Sequence, residues 1–159
     1  MKTSKFLIAL FFSTLPVMGL ANEDVSAEID ATVWKLISQT VVENDISGMA
    51  SAYHPDAVLV SEKGTVPIAG ALARWGEDMT TMQSEGSTAE VSFRFNHRQD
   101  NDETAFESGM FRYVLTDSRG SEQVDIFAFE ALLRKLDGQW KILMERQIGE
   151  VTEADWLAQ

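Results

Sequence analysis

Four charged or titratable side chains fall inside long, mainly apolar segments of the second half of the chain. They are Asp125, Arg112, Arg146 and His97. A planar guanidinium group binds a carboxylate through two parallel hydrogen bonds, so two inward-facing arginines predict an anionic ligand. A buried Asp–Arg pair beside a histidine can also act as acid and base. Asp125 and His97 are therefore the candidate catalytic residues.

The same residues have simpler structural explanations. A buried Asp125 paired with an arginine is more often an ion pair that neutralises charge in the core. His97 lies near a strand end, before the polar "RQDND", where a half-exposed position is expected. Tyr53 follows a short helical segment and can simply pack there. These structural roles remain open beside the chemical ones.

Strand periodicity decides which side chains can share a cavity. Four segments show side-chain character that alternates from one residue to the next, and short polar turns separate them. They are "AEVSFRFNHRQ", "AFESGMFRYVLT", "QVDIFAFEALLRKL" and "WKILMERQIG". Since side chains alternate between the two faces of a strand, each segment has one predicted concave face. Those faces are Val91, Phe93, Phe95 and His97; Phe106, Ser108, Met110, Arg112 and Val114; Asp125, Phe127, Phe129, Ala131 and Leu133; and Trp140, Ile142, Met144, Arg146 and Ile148. The second choice is the least constrained, because the opposite face carries Glu107 with Phe111, Tyr113 and Leu115.

An apolar cleft with a few convergent polar groups is the usual form of a small-molecule site. The predicted ligand-binding set is Arg112, Arg146, Tyr53, Phe127, Met144 and Trp34. The two histidines are far apart and have no spaced carboxylate ligands, so the sequence predicts no metal. It also lacks a P-loop and a glycine-rich dinucleotide turn, and predicts no cofactor.

The N-terminus has the pattern of a secretory signal peptide. "MKTSK" is cationic, "FLIALFFSTLPVMGL" is apolar, and Gly19 and Ala21 suit a cleavage site, which predicts a signal over residues 1–21. An uncleaved N-terminal anchor is the alternative. We expect a periplasmic or secreted protein of bacterial origin, with residues 22–159 forming one domain and no membrane contact after cleavage.

Charge and cysteine content narrow the range of partners. The whole chain has a formal net charge of −12 and no cysteine. Loss of Lys2 and Lys5 with the signal leaves 11 cationic against 25 acidic residues, a charge of −14. Such a surface repels polyanions, so nucleic acid is not an expected partner. Without disulfides or thiolates, the core alone must hold the domain together.

The first half of the mature chain is predicted to be mainly helical. Apolar residues recur at helical spacing over 27–43, a short helix follows in "NDISGMASAYHP", and Pro55 is expected to end it. A tight hairpin with strands near 57–61 and 66–68 then precedes a helix over 71–83. Helices grouped ahead of a curved antiparallel sheet predict an α+β domain, with the helices against one wall of a cone.

The segment "NDISGMASAYHPDAVLVSEKGTVPIAG" and the late "DGQWKIL" resemble signature segments of the NTF2-like superfamily. The closest similarity is to its SnoaL-like group, including the small domains labelled DUF4440. The resemblance covers almost all of residues 22–159 and implies a conical α+β fold with a pocket at one end. It says little about chemistry, because the fold hosts isomerases, cyclases, hydrolases and non-catalytic modules.

Ketosteroid isomerase, an enzyme of this superfamily, needs a carboxylate base and two oxyanion donors. On the resemblance, these positions fall on Ser61, Ile37 and Ala131, so all three roles are lost. We expect a module that binds a small, partly apolar and anionic molecule. An isomerase, cyclase or hydrolase that uses Asp125 with its Arg and His neighbours is the alternative. A purely structural assembly role is a third interpretation.

Apolar residues occur on both predicted faces of the sheet. Phe111, Tyr113 and Leu115 are assigned to the convex face, with Ile126, Ala128 and Leu132 on the next strand. Since the helices cover one face only, a second copy is the expected cover for the other. A homodimer through the convex face is predicted, and the superfamily resemblance implies the same.

Overall fold

The computed structural model describes residues 23–159, and the predicted signal lies outside this range. The elements are α1 (Glu23–Ile29), a π-helical turn (Asp30–Trp34), α2 (Lys35–Glu43), α3 (Ile46–Ala50), β1 (Tyr53–Ser61), β2 (Gly64–Pro67), α4 (Ile68–Glu85), β3 (Thr88–Asp100), β4 (Thr104–Thr116), β5 (Glu122–Leu136), β6 (Gln139–Glu150) and α5 (Glu153–Leu157). Within this range no helix has the length and apolar character needed to cross a membrane.

The strands form one six-stranded mixed sheet in the order β2-β1-β6-β5-β4-β3. Strand β1 runs parallel to β6, and the other neighbouring pairs are antiparallel. Helices α1 to α4 lie against one face, which we call the inner face, and the opposite face is the outer face. The predicted α+β class, with helices ahead of a meander of four long strands, is confirmed.

The first helical run contains a local change of helix type. Ile29, Val33, Ile37 and Val41 recur every four residues and are buried, which gives the run its core-facing stripe. The π turn lies in the middle of this run and includes Trp34. The run ends at Asn44, a left-handed residue with φ 54°. The predicted helix over 27–43 is therefore real but starts earlier.

The next segment corrects one expected helix end. Asp45 caps α3 by accepting a hydrogen bond from the backbone N–H of Gly48 at 2.8 Å. The helix ends at Ala50, and Pro55 lies inside β1 instead of ending the helix. Proline is tolerated there because β1 is irregular between Tyr53 and Val58, where its pairing with β6 shifts.

Three β-bulges in the long strands interrupt the regular alternation of side chains. In β3 the pairing with β4 shifts between Phe95 and His97, so Asn96 is the extra residue. In β6 the pairing with β5 passes from Ile142 to Met144 and again from Gln147 to Gly149, so Leu143 and Ile148 are extra. Each extra residue sends the following side chains to the opposite face of the sheet. The bulges therefore decide which polar groups reach the interior.

Helix α5 folds back over the outer face. Thr152 and Asp155 form a capping box at its start. Trp156 is buried against Met110 and Ile126, and the guanidinium group of Arg94 lies 4.4 Å from the centroid of its ring. Helix α5 therefore covers apolar side chains of β4 and β5 on this face.

Candidate ligand-binding site

A cavity of about 470 Å³ lies between the helices and the inner face of the sheet. Its wall is mostly aromatic and aliphatic, with a few acidic and amide groups. The lining residues are Trp34, Ile37, Val41, Met49, Tyr53, Trp75, Asp78, Met79, Met82, Val91, Phe93, Phe111, Tyr113, Asp125, Phe127, Phe129, Glu145 and Gln147. The size and the apolar wall are typical of a small-molecule site.

A buried carboxyl group, Glu145, faces this cavity from β6. The hydroxyl group of Tyr53 donates a hydrogen bond to Glu145 Oε2 at 2.7 Å, and Gln147 Nε2 donates to Oε1 at 3.0 Å. Glu145 is only 8% exposed. Burial raises the pKa of Glu145, and the hydrogen bonds from Tyr53 and Gln147 oppose that rise. Burial, with the charge of Glu145, raises the pKa of Tyr53 well above its ordinary value.

Two further carboxylates reach the cavity near Tyr113. Asp78 comes from α4 on an exposed part of the wall, and Asp125 comes from β5 and is half-buried. Asp125 accepts a hydrogen bond from Gln123 Nε2 at 2.9 Å. Burial, followed by the charges of Asp78 and Asp125, raises the pKa of Tyr113. The open part of the cavity is therefore acidic.

Behind Trp34 a second buried carboxyl group, Glu107, forms a separate cluster. The indole N–H of Trp34 donates to Glu107 Oε2 at 2.6 Å, and Arg98 Nε lies 3.3 Å from Oε1. The Arg98 side chain also pairs with Asp30 of the π turn. Burial raises the pKa of Glu107 to about 7, although Arg98 and Trp34 oppose this change. This cluster holds Trp34 in position as part of the cavity wall.

Four of the residues selected from the sequence lie in the cavity wall. They are Asp125, Tyr53, Phe127 and Trp34. Asp125 lies there without either predicted arginine, and its hydrogen-bond donor is Gln123. The expected Asp–Arg pair is therefore wrong. The functional roles of these four residues stay predictions.

The expected position of His97 is wrong. The bulge at Asn96 pairs His97 with Ser108 and sends its side chain to the outer face, where it is exposed and 6.3 Å from the ring of Phe106. Arg98 takes the inward position instead. The acid–base arrangement of His97 with Asp125 cannot form, because the sheet separates the two side chains.

The bulge at Leu143 in β6 has the same effect on two predicted ligand-binding residues. Trp140 and Ile142 face inward as expected, but after Leu143 it is Glu145 and Gln147 that face the cavity. Met144 and Arg146 consequently lie on the outer face. Arg146 pairs there with Glu130 at 3.0 Å. Neither residue lines the cavity.

The face chosen for β4 was also wrong. Phe111 and Tyr113 line the cavity, so Arg112 is on the outer face, where its Nε lies 3.4 Å from Glu153 Oε2 of α5. The face with Phe111 and Tyr113 was not chosen as the inner one because it also carries the acidic Glu107. Its carboxylate is accommodated by Arg98 and Trp34, which are distant in sequence, and α5 covers Met110 on the other side.

The positions compared with ketosteroid isomerase lie in different environments. Ile37 lines the cavity, Ala131 is fully buried, and Ser61 belongs to a second cleft. That cleft shares Trp75, Phe127 and Gln147 with the main cavity, so these three side chains separate the two spaces.

The groups that sequence reasoning missed are Glu145, Gln147, Asp78 and Tyr113. A signal for Glu145 existed, since it is an acid within the apolar segment "WKILMERQIG". Its inward direction depends on the bulge at Leu143, which carries no glycine or other local marker. Among the residues described, no group of three or more His, Cys, Asp or Glu side chains is placed to hold a metal ion.

Comparisons with known proteins support the fold. No protein-family model and no curated protein sequence matches the chain. Solved structures do match. Aln2 from a Streptomyces species is 13% identical with a TM-score of 0.68, over 88% of this chain and 99% of that one. An NTF-2 like protein of unknown function from Shewanella oneidensis is 16% identical with a TM-score of 0.62, over 79% and 99%.

A ketosteroid isomerase-like protein from Erwinia carotovora atroseptica is 18% identical with a TM-score of 0.58, over 83% of this chain and 99% of that one. At these identities the similarity concerns the fold and not the activity. The chain therefore has the NTF2-like fold, as the sequence resemblance implied.

Proposed function

We propose that this chain binds a small, mostly apolar molecule in the cavity between its helices and its sheet. The observation that carries this proposal is a cavity of about 470 Å³ whose wall includes the rings of Trp34, Phe93, Phe111 and Phe127. A purely structural role would favour a cone filled by its own side chains. The prediction of an anionic ligand depended on Arg112 and Arg146 facing inward. Both lie on the outer face, so that prediction is no longer supported.

A cavity-filling substitution tests this proposal. Val91 lines the cavity, so Val91→Phe adds volume inside it. We expect the fluorescence enhancement of the neutral probe N-phenyl-1-naphthylamine to saturate with the native protein. The dissociation constant should rise at least about tenfold in Val91→Phe, the equivalent of about 1.4 kcal/mol.

Val124→Phe is the matched control, since Val124 is 37% exposed and lies on the outer face of β5. It should bind the probe as the native protein does. Absence of saturable binding, or equal binding by Val91→Phe with its fold intact by circular dichroism, would refute the proposed site.

A second candidate function is acid–base catalysis in the same cavity. The observation that favours it is Glu145, a carboxyl group in an apolar cavity whose hydrogen-bond donors are Tyr53 and Gln147. A carboxylate with a raised pKa is a stronger base, which suits proton abstraction near neutral pH. This assignment replaces the predicted Asp125–His97 pair.

A generic proton-abstraction substrate tests this role without knowledge of the natural substrate. In 5-nitrobenzisoxazole, Glu145 would take the C3 proton as the N–O bond breaks, which gives a coloured phenolate. We expect Glu145→Gln to lower the rate by about 100-fold. Because Tyr53 lowers the pKa of Glu145, Tyr53→Phe should move the pH–rate profile to higher pH. Equal rates in the native protein and Glu145→Gln would exclude Glu145 as the base.

We also propose that two copies associate through the outer face. A row of apolar residues crosses five strands there, formed by Phe106, Leu132, Met144, Val58 and Pro67 in register. The neighbouring row on the same face contains the Glu130–Arg146 ion pair. In a twofold dimer, Glu130 of one copy can pair with Arg146 of the other. Such a self-complementary patch suits a twofold dimer.

Sedimentation velocity tests the association. Leu132→Asp places a charge in the centre of the apolar row and should convert a dimer into a monomer. Val42→Asp is the control, because Val42 is 57% exposed on α2, away from the outer face. A native protein that is monomeric at every concentration measured would contradict the proposed interface.

Two further assignments remain proposals. One is membership of the SnoaL-like group. The other is export to the periplasm or beyond after cleavage of residues 1–21. Intact-mass measurement of the protein recovered from cells tests the export proposal, because cleavage after Ala21 leaves a chain that begins at Asn22.

A further inference from the structure

The charge of the cavity wall is entirely of one sign. Three carboxyl groups, those of Asp78, Asp125 and Glu145, belong to the wall. None of the lining side chains within residues 23–159 is a Lys, Arg or His. Neither Asp78 nor Asp125 forms an ion pair with another residue of that range, and Gln123 supplies only a neutral hydrogen bond to Asp125. A ligand must therefore approach carboxylates whose charge is not neutralised by the protein.

The two more accessible carboxylates lie on different elements around the same phenol. Asp78 projects from α4 and Asp125 from the inner face of β5, and both are close enough to Tyr113 to raise its pKa through their charges. The hydroxyl group of Tyr113 donates to Met82 Sδ at 3.4 Å. A positively charged group at this point would interact with two carboxylates at once. Glu145 lies deeper, where its hydrogen bonds to Tyr53 and Gln147 are already formed.

The rest of the wall suits the same kind of ligand. Phe111 and Phe127 stack with centroids 5.4 Å apart, and Trp34 lies 4.9 Å from Phe93. Aromatic rings attract ammonium groups electrostatically, and they also bury apolar substituents. An anion would meet the opposite conditions, because the carboxylates repel it. The formal net charge of −12 further favours the approach of cations at low ionic strength.

We propose that the ligand of this cavity is an organic cation, with an alkyl- or arylammonium group beside Asp78 and Asp125 and its apolar part among the aromatic rings. This inference rests on the proposed function of the cavity as a small-molecule site and names the class of ligand. Aromatic contacts alone would accept neutral molecules equally well. The two carboxylates provide the selectivity for positive charge.

A pair of isosteric probes tests the sign of the ligand. Benzyltrimethylammonium and neopentylbenzene have the same shape and differ in a positive nitrogen against a neutral carbon. Their displacement of N-phenyl-1-naphthylamine from the native protein is measured, with 3-phenylpropionate as the anionic comparison. We expect the cation to displace the probe at a concentration at least about tenfold lower than the neutral isostere. The anion should be the weakest of the three.

The variants connect this preference to the two carboxylates. Asp78→Asn with Asp125→Asn preserves shape and should reduce the tenfold preference to less than threefold, while probe binding itself persists. Glu77→Gln with Glu90→Gln removes two exposed charges outside the cavity wall and should retain the preference. If the first double variant is unfolded by circular dichroism, Asp78→Asn alone gives the readout, because Asp78 is exposed.

The outcomes separate this inference from the proposed function. Equal displacement by the cation and its neutral isostere, or stronger displacement by the anion, would overturn the cationic class while the cavity remains a binding site. A preference that the Asp78 and Asp125 substitutions leave unchanged would overturn the role of these two residues. Failure of N-phenyl-1-naphthylamine to bind the native protein would refute the proposed function itself.

Discussion

Replacement of Gly109 by alanine is expected to lower the free energy of unfolding by about 3 kcal/mol, at the upper end of the usual cost of overpacking. Gly109 lies on β4 opposite Phe95, next to the bulge at Asn96. A Cβ atom at this position would lie 2.0 Å from the carbonyl oxygen of Arg94 and 2.9 Å from the Cα atom of Phe95. Both are backbone atoms, so relief requires β3 and β4 to separate.

The effect should extend from stability to the site. The bulge directs Arg98 towards Glu107 and leaves Phe93 and Phe95 on the inner face beside Trp34. A shift of β3 away from Gly109 would disturb these contacts together. We therefore expect Gly109→Ala to lower the melting temperature by about 10 °C and to weaken probe binding in the cavity.

Gly70→Ala is the matched control for this substitution. Gly70 is in the first turn of α4, and a Cβ atom there meets nothing within 4 Å. Alanine favours helix over glycine by up to about 1 kcal/mol, so this variant should be equal to or more stable than the native protein. Urea unfolding compares the two variants. If Gly109→Ala unfolded at the same urea concentration as the native protein, the bulge could relax without cost. That result would contradict the steric argument.

The bulges also explain why the site was only partly predictable from the sequence. Apolar periodicity placed the helices, the hairpin and all four long strands, because that signal is local and repeated. It placed Asp125, Phe127 and Phe129 correctly on the inner face, since β5 alternates regularly between them. The same rule failed after Asn96 and Leu143, where one extra residue reverses the alternation.

Neither the bulge at Asn96 nor that at Leu143 could be found from its own residues. Asn96 and Leu143 have no glycine beside them, and the constraint lies across the sheet. Gly109 permits the bulge in β3 from the neighbouring strand, and only the pairing of β3 with β4 brings the two together. The face of β4 likewise depends on distant residues, since Arg98 and Trp34 make a buried Glu107 acceptable. Long-range pairing, and not local preference, therefore decided which polar groups line the cavity.

Glu107 is expected to make the stability of the protein fall as the pH rises from about 4.5 to about 7. Burial raises the pKa of this carboxyl group from 4.5 to about 7 in the folded chain. Below pH 4.5 both the folded and the unfolded chains hold the proton, so the favourable neutral form is fully present. As the pH rises, the unfolded chain releases its proton first, which favours unfolding.

The size of this effect follows from the same pKa difference. One pKa unit corresponds to about 1.4 kcal/mol, so the loss attributable to Glu107 approaches roughly 3 kcal/mol once the pH exceeds 7. Glu145 is also buried with a raised pKa and contributes in the same direction. The contribution of Glu107 is therefore measured as a difference between two proteins and not from one pH curve.

Glu107→Gln keeps the shape and an oxygen that can accept from the indole N–H of Trp34, but it does not titrate. Arg98 retains its ion pair with Asp30 in this variant. We expect the free energy of unfolding of the native protein, relative to Glu107→Gln, to fall by about 3 kcal/mol between pH 4.5 and pH 7.5. Urea unfolding at a series of pH values gives this difference directly.

Glu130→Gln is the control, because it removes one negative charge from the outer face, where Glu130 is half-buried beside Arg146. It separates the effect of burying a carboxyl group from the effect of changing the net charge. A constant difference between the native protein and Glu107→Gln across this pH range would mean that Glu107 releases its proton equally readily in both states. In that case Arg98 and Trp34 fully offset its burial. The cluster behind Trp34 would then be an ordinary ion pair, which holds the cavity wall without making its stability depend on pH.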